Sequence, residues 1–172
     1  LRQINARTNH MQNIRSMIDL FISPSNFLRN KFIAFGIPED KIILSRYGFN
    51  FSSFRNFKKT TSNKLRFGFI GNILPAKGVH ILIEAFNNVK DKNVELKIYG
   101  EQISYKGILS NYLQKLKKQA KNKNIRFMGG FDNKDIAKIF SQIDVLVVPS
   151  IWYENSPLVI QEAFLSGTPV IA

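Results

Sequence analysis

The sequence predicts an α/β fold in which a parallel sheet carries helices on both faces. Three observations lead there: short apolar runs alternate regularly with helical patterns from residue 65 onward, each intervening segment is long enough for a helical crossover, and glycines follow the apolar runs. The order is strand Leu65–Ile70, helix Val79–Val89, strand Val94–Tyr99, helix Ile108–Ala120, strand Ile125–Met128, helix Lys134–Ile143, strand Val145–Val148, helix Pro157–Leu165 and a strand from Val170. Right-handed crossovers of this kind make residues 65–172 a Rossmann-like domain. In such sheets ligands collect outside the carboxyl ends of the strands, so the segment after each strand is where function is sought.

Upstream, Leu1, Ile4, Met11, Ile14 and Ile18 recur at roughly helical spacing and lead into a strand-like run, Asp19 to Ile22. Ser25 is placed to cap a second helix bearing Phe27, Leu28, Phe32 and Phe35, which Gly36 ends and Ile37-Pro38 stops. Ile42 to Leu44 is another short strand. Residues 49–64 turn polar and lose periodicity, which predicts a linker. Leu1 is not an initiator Met and the chain closes on the apolar run Pro169-Val170-Ile171-Ala172, so a fragment lacking sequence at both ends is expected.

Hydrophobic content of 44% with 15 Phe in 172 residues excludes a disordered chain. No window reaches the roughly 20 uninterrupted apolar residues of a membrane span and no leader-like segment opens the chain, so a soluble protein is expected. Cysteine is absent, which excludes disulfides and thiolate chemistry and fits the cytoplasm. The 25 basic and 12 acidic residues leave a net charge of +13, which raises nucleic acid or an anionic membrane surface as partners. Lys115, Lys117, Lys118, Lys121, Lys123 and Arg126 are the densest cluster. A solvated helix face accounts for it, with attraction to an anionic bilayer or a phosphate-bearing acceptor as the other reading.

After the first strand of the alternation comes Gly71-Asn72-Ile73-Leu74-Pro75-Ala76-Lys77-Gly78, directly before a helix. Its glycines allow a tight turn, and Lys77 near the helix start makes a phosphate-site candidate or a solvated turn lysine. The spacing is neither the dinucleotide glycine fingerprint nor a P-loop. Gly100 after the second strand permits close backbone approach, whereas Glu101 reads as an ordinary loop carboxylate. After the third strand, Met128-Gly129-Gly130-Phe131 leaves room for a flat base beside Phe131, and Asp132 or Asn133 is placed to cap the next helix.

The most informative loop runs from Asp144 through Tyr153 to Gly167. Ser156 is placed to cap the following helix, with Pro157 in its first position. The backbone from Asn155 to Leu158 then forms an anion site with Glu154 ahead of the helix and Glu162 within it. A phosphate held there would put sugar hydroxyls within reach of both carboxylates. Glu154 also reads as a carboxylate favouring the helix dipole, and Glu162 as an exposed helical residue. Leu158, Val159, Ala163 and Phe164 surround Glu162, however, and a carboxylate in such company needs a hydrogen-bonding partner.

In this order the residues resemble the GT-B glycosyltransferases of glycosyltransferase family four, also called glycosyl transferases group one. The resemblance rests on Gly71 with Lys77-Gly78, Glu84-Ala85-Phe86, Tyr99-Gly100, Arg126 to Gly129 and Asp144 to Ser150. Glu154 and Glu162, followed by Ala163-Phe164 and Gly167 to Ala172, are its most specific part. It covers nearly the whole chain. Ile22 to Ser25 and Gly36 to Gly48 look like the end of the family's N-terminal domain, which makes 1–48 a partial second Rossmann-like domain, 49–64 the interdomain linker and 65–172 the C-terminal donor-binding domain.

The resemblance implies that Glu154 contacts the donor sugar, Glu162 the ribose, and the helix start from Asn155 through Ser156 and Pro157 to Leu158 the diphosphate. Gly71, Asn72, Gly100 and Phe131 complete the donor site, and Lys77 clamps the diphosphate. The family pairs that Lys with an Arg a few residues earlier; here Asn72 stands in its place, and Asn155-Ser156 replaces the commoner Gly-Phe. The implied reaction is retaining hexosyl transfer from a nucleoside-diphosphate sugar to a glycan or lipid-linked acceptor in envelope polysaccharide or lipopolysaccharide synthesis. No metal or other cofactor is implied, and no nucleic acid. The fragment alone is expected to bind donor weakly and catalyse little, because transfer needs both domains closed around the substrates.

Two other readings remain open on the residues. A basic Rossmann-like module would bind nucleic acid through Lys115 to Arg126 with a steep salt dependence. A dinucleotide oxidoreductase is disfavoured because the first loop lacks the glycine fingerprint.

Overall fold

The structure, a computed structural model, describes residues 2–50, 52–102 and 111–172. The chain divides into two compact units that meet between Phe49 and Asn50. In the first, helix α1 (Arg2–Arg15) leads to strand β1 (Phe21–Ser23), helix α2 (Asn26–Ala34) and strand β2 (Ile42–Leu44). The two strands pair in parallel with Phe21 opposite Ile42. Ser25 caps α2 as expected, its hydroxyl accepting the Leu28 N–H at 3.2 Å.

The second unit contains β3 (Leu65–Ile70), α3 (Val79–Asn87), β4 (Val94–Tyr99), α4 (Tyr112–Gln119) and β5 (Ile125–Gly129). It continues with α5 (Ile136–Phe140), β6 (Val145–Val147), α6 (Leu158–Leu165) and β7 (Val170–Ile171). Its sheet is parallel throughout, in the order β5-β4-β3-β6-β7. The chain therefore builds outward from β3 to one edge, then returns to lay β6 on the other side of β3. That reversal opens a crevice between the carboxyl ends of β3 and β6.

The two-residue period of the strands sorts the core. Phe69 in β3 with Leu96 and Ile98 in β4 meet Ile83, Phe86 and Leu116 from α3 and α4 on one face. Ile70, Tyr99 and Leu146 meet Ile136, Ile139, Phe140 and Ala163 from α5 and α6 on the other. This is the Rossmann-like α/β arrangement expected, with helices on both faces.

Four helices differ from their predicted bounds. α3 ends at Asn87 rather than Val89, the last two residues closing with three-residue bonds, Asn88 to Ala85 and Val89 to Phe86. Residues 108–110 of the predicted fourth helix lie outside the described residues, and α4 proper is Tyr112–Gln119. Asn133–Asp135 forms a 3-10 turn before α5, and the run to Ile143 tightens again into three-residue bonds, Gln142 to Ile139 and Ile143 to Phe140. Pro157, with ψ of 115°, occupies the cap of α6 rather than its first turn, and neither it nor Ser156 makes a side-chain capping bond.

The polar stretch 49–64 is not loose along its length. Phe54 and Phe57 pack against the α5/α6 face, the Phe54 ring 6.1 Å from that of Phe140. Lys59 donates to the Thr168 hydroxyl at 2.9 Å and to the carbonyl of Ile143, and the Thr60 amide donates to the Ser141 carbonyl at 2.9 Å. Arg66 on β3 completes the strap. Its guanidinium, 5% exposed, grips both Asp144 oxygens at 2.8 and 2.9 Å and donates to the Thr60 carbonyl at 2.9 Å. The hydrogen bonds from Arg66 hold the Asp144 carboxyl below the usual carboxylate range against the opposing effect of burial.

Candidate functional site

Two loops border the crevice between β3 and β6, and the backbone locks them together. Gly78 sits in the left-handed region at φ 68°, and a Cβ there would lie 1.8 Å from the Pro149 carbonyl oxygen. The Ile151 N–H adds a bond to the Ala76 carbonyl at 2.9 Å. This contact fixes Lys77 opposite the loop that carries Glu154. The Lys77 ammonium meets Glu154 Oε1 at 2.5 Å, and the Ser150 hydroxyl donates to the same oxygen at 2.7 Å. The Trp152 ring lies beside this pair, its centroid 5.8 Å from the ammonium.

Burial alone would raise the Glu154 pKa, but the bonds from Lys77 and Ser150, the nearby Trp152 and the lysine charge outweigh it and hold the carboxyl below its ordinary range. Glu162 is in the opposite state. Half-buried on α6, its carboxylate has no hydrogen-bond or ion-pair partner among the described residues, and burial pushes its pKa up.

Between these carboxylates in the sequence lies the start of α6. No backbone carbonyl among the described residues takes the N–H of Leu158 or Val159. These two amides are the open donors at the helix start; Pro157 has no N–H to offer. Asn155 is exposed and Ser156 half-exposed in the turn ahead of them. Gly71, Lys77, Ser150, Glu154 and Pro157 line one small cavity of about 30 Å³.

A larger cleft of about 610 Å³ shares Gly71 with that cavity and opens over the ends of β3, β4 and β5. Gly71 and Asn72 form one side, Gly100 and Glu101 the floor, and Gly130, Phe131, Asp132 and Asp135 the far side. Gly100, at φ 140°, is required by close approach: a Cβ would fall 1.9 Å from the Gly71 carbonyl oxygen. Phe131 stands edge-on to Tyr99 with centroids 6.5 Å apart, leaving its ring partly exposed in the cleft.

The structure thus gathers Gly71, Asn72, Lys77, Gly100, Phe131, Glu154 and Pro157 around two adjoining hollows at the carboxyl ends of the strands, with Glu162 on the helix behind. Arg66, the nearest arginine on the same strand, is committed to Asp144 and does not substitute for a cation at Asn72. Glu101 and Asp132, read from sequence as a plain loop carboxylate and a helix cap, both line the cleft. Asp132 makes no capping bond and pairs instead with Lys134 at 2.8 Å. Ser150, Trp152 and Asp135 escaped the sequence reading. The first two sit four and two residues before Glu154, and only the folded loop turns them onto its carboxylate.

The family described as glycosyl transferases group 1 matches residues 50–172, the whole of the second unit. An uncharacterized glycosyltransferase of Methanocaldococcus jannaschii is 28% identical over 151 residues, 80% of this chain and 37% of the relative. The "Putative colanic acid biosynthesis glycosyltransferase WcaL" of Escherichia coli is 24% identical over 98% of this chain and 43% of its own length. The chain therefore spans less than half of these curated relatives. Among solved structures, Anabaena HepE in complex with UDP and glucose superposes with a TM-score of 0.75 at 24% identity, over 88% of this chain and 43% of HepE. That likeness supports the same α/β fold. With the family match extending over more than half of its residues, the chain belongs to the glycosyl transferases group 1 family.

Proposed function

We propose that residues 50–172 bind the nucleoside-diphosphate sugar of a retaining, metal-independent glycosyltransferase that builds an envelope polysaccharide on a glycan or lipid-linked acceptor. The observation that carries this reading is the meeting of Lys77, Ser150 and Glu154 beside the open amides of α6, with unpaired Glu162 on the same helix. The diphosphate lies at Lys77 and the Leu158 and Val159 amides, the ribose on Glu162, a sugar hydroxyl on Glu154, and the base in the cleft beside Phe131. As the bond from the anomeric carbon to the diphosphate breaks, its electron pair passes to the leaving oxygen. Lys77 and the amides stabilise that charge. The acceptor oxygen bonds to the same face of the sugar as its O–H bond breaks, and the proton passes to the departing diphosphate oxygen.

UDP is the favoured nucleotide because HepE, which shares the fold, was crystallised with UDP and glucose. The polysaccharide context follows the name of the WcaL relative. No helix among the described residues is long and apolar enough to cross a membrane. Action at the cytoplasmic face of the membrane is part of the proposal. Calorimetry of the full-length protein with UDP, GDP and ADP tests the donor, with UDP expected to bind tightest. Unchanged affinity after Glu162→Ala would remove the ribose assignment.

A further inference from the structure

The end of the second unit opposite the cleft is built differently from the cleft end. The loops that enter β3, β4 and β5 lie side by side there because those strands are neighbours in the sheet. Asparagines tie the loops into one piece. Asn87 Oδ1 accepts the amides of Lys121 and Asn122 at 3.0 and 3.1 Å, and Asn122 Nδ2 donates to the carbonyls of Phe86 and Val89, both at 3.0 Å. Asn124 Oδ1 accepts from Lys64 at 3.1 Å, and the Asn93 carbonyl accepts the Leu65 amide at 2.8 Å.

This platform carries Lys64, Lys90, Lys92, Lys121 and Lys123. The last four are exposed, and among the described residues no carboxylate lies within ion-pair distance of them. Asp91 is the one acid in these loops, and it accepts the Asn93 amide at 2.8 Å. The charges of sequentially distant segments are thereby pooled on one end, while Glu101, Asp132 and Asp135 line the cleft at the other.

We propose that this lysine platform docks the domain on an anionic lipid bilayer, with the donor cleft turned away from the headgroups. Charge complementarity selects the partner, and the chemistry of the loops favours lipid over nucleic acid. Residues 60–64, 87–93 and 120–124 contain neither arginine for bidentate base or phosphate contacts nor an aromatic ring for base stacking. What they present is a set of mobile point charges suited to a plane of headgroups, each adding to the attraction within a Debye length of about 10 Å. The opposed acids at the cleft end give the attraction a direction.

Co-sedimentation of the full chain with phosphatidylcholine vesicles, with and without roughly 30% phosphatidylglycerol at about 0.1 M salt, tests this. Binding is expected only to the anionic vesicles. Replacing Lys90, Lys92 and Lys123 together by Gln should lower it at least about tenfold, and Lys90→Glu alone should weaken it measurably. Replacing Lys115, Lys134 and Lys138 by Gln removes the same charge elsewhere and should cost less than about twofold. Equal losses in the two triple variants, or no preference for anionic vesicles, would overturn the proposal. So would tighter binding to a duplex oligonucleotide than to the anionic vesicles at the same salt.

Discussion

Lys77 and Glu154, 77 residues apart in the chain, meet at 2.5 Å across the crevice between β3 and β6. The cation proposed for the diphosphate is therefore already occupied by the carboxylate proposed for the sugar. A donor that binds here must exchange one anion for another on Lys77, and that exchange releases Glu154 from the lysine while Ser150 still holds it.

The exchange has a measurable sign. Glu154→Gln keeps the shape of the side chain but removes its charge, so UDP should bind that variant more tightly than the parent, by about threefold or more, while turnover falls. Lys77→Ala should weaken UDP at least about tenfold, the scale of one charge-assisted hydrogen bond. Titration calorimetry on the full-length protein reads both. Weaker UDP binding to the Glu154→Gln protein would show that the carboxylate does not compete with phosphate.

Glu162 predicts a conflict between stability and binding. Its pKa is raised by burial, so its contribution to stability is fully present below the unfolded value of about 4.3 and is lost as pH rises through the folded value. Glu162→Gln should consequently melt higher than the parent near pH 7, with the difference vanishing near pH 4. The same variant should gain less from added UDP than the parent does. Thermal melts at the two pH values, with and without nucleotide, separate these effects.

The Arg66–Asp144 pair works the other way. Because the folded state lowers the Asp144 pKa, its stabilisation is present above the unfolded value and fades as acid brings the pH down through the folded one. Asp144→Ala strands a guanidinium that is 5% exposed and should cost about 3 kcal/mol in urea unfolding at pH 7. An undiminished midpoint would mean that water reaches Arg66.

Gly78→Ala tests whether the two loops bordering the crevice act as one rigid frame. The added methyl collides with the Pro149 carbonyl and the left-handed φ disfavours it, so the loops must part. A loss of more than about 1 kcal/mol in stability is expected, with weaker UDP binding. Gly129→Ala is the reference: its φ is also positive, at 82°, but a Cβ there meets nothing within 4 Å.

Much of this was legible before folding. The limits of β2, β3 and β4 agree with the runs Ile42–Leu44, Leu65–Ile70 and Val94–Tyr99, because an apolar residue recurs at least at every second position through each, as Leu65, Phe67 and Phe69 do in β3 and Val94, Leu96 and Ile98 in β4. Gly71, Lys77 and Gly100 stood out because their loops follow β3 and β4, and the two glutamates because they flank the start of the helix after β6. Ser150 and Trp152 did not, since which way a loop residue turns depends on the contact of Gly78 with Pro149, a pairing that no local pattern carries. The start of α6 was displaced by one residue because Ser-Pro satisfies the usual cap preference, whereas the chain here extends through Pro157 before it coils.

The strap formed by Phe54, Phe57, Lys59 and Thr60 bears on where this protein can be cut. A stand-alone module begun at Leu65, where the hydropathy pattern changes, would leave the ring of Phe140 uncovered and the Arg66 guanidinium without the Thr60 carbonyl. A boundary placed ahead of Phe54 keeps those partners in the same polypeptide. For this domain the useful junction for truncation or fusion lies inside the polar segment, at its upstream end, and not where the polar residues stop.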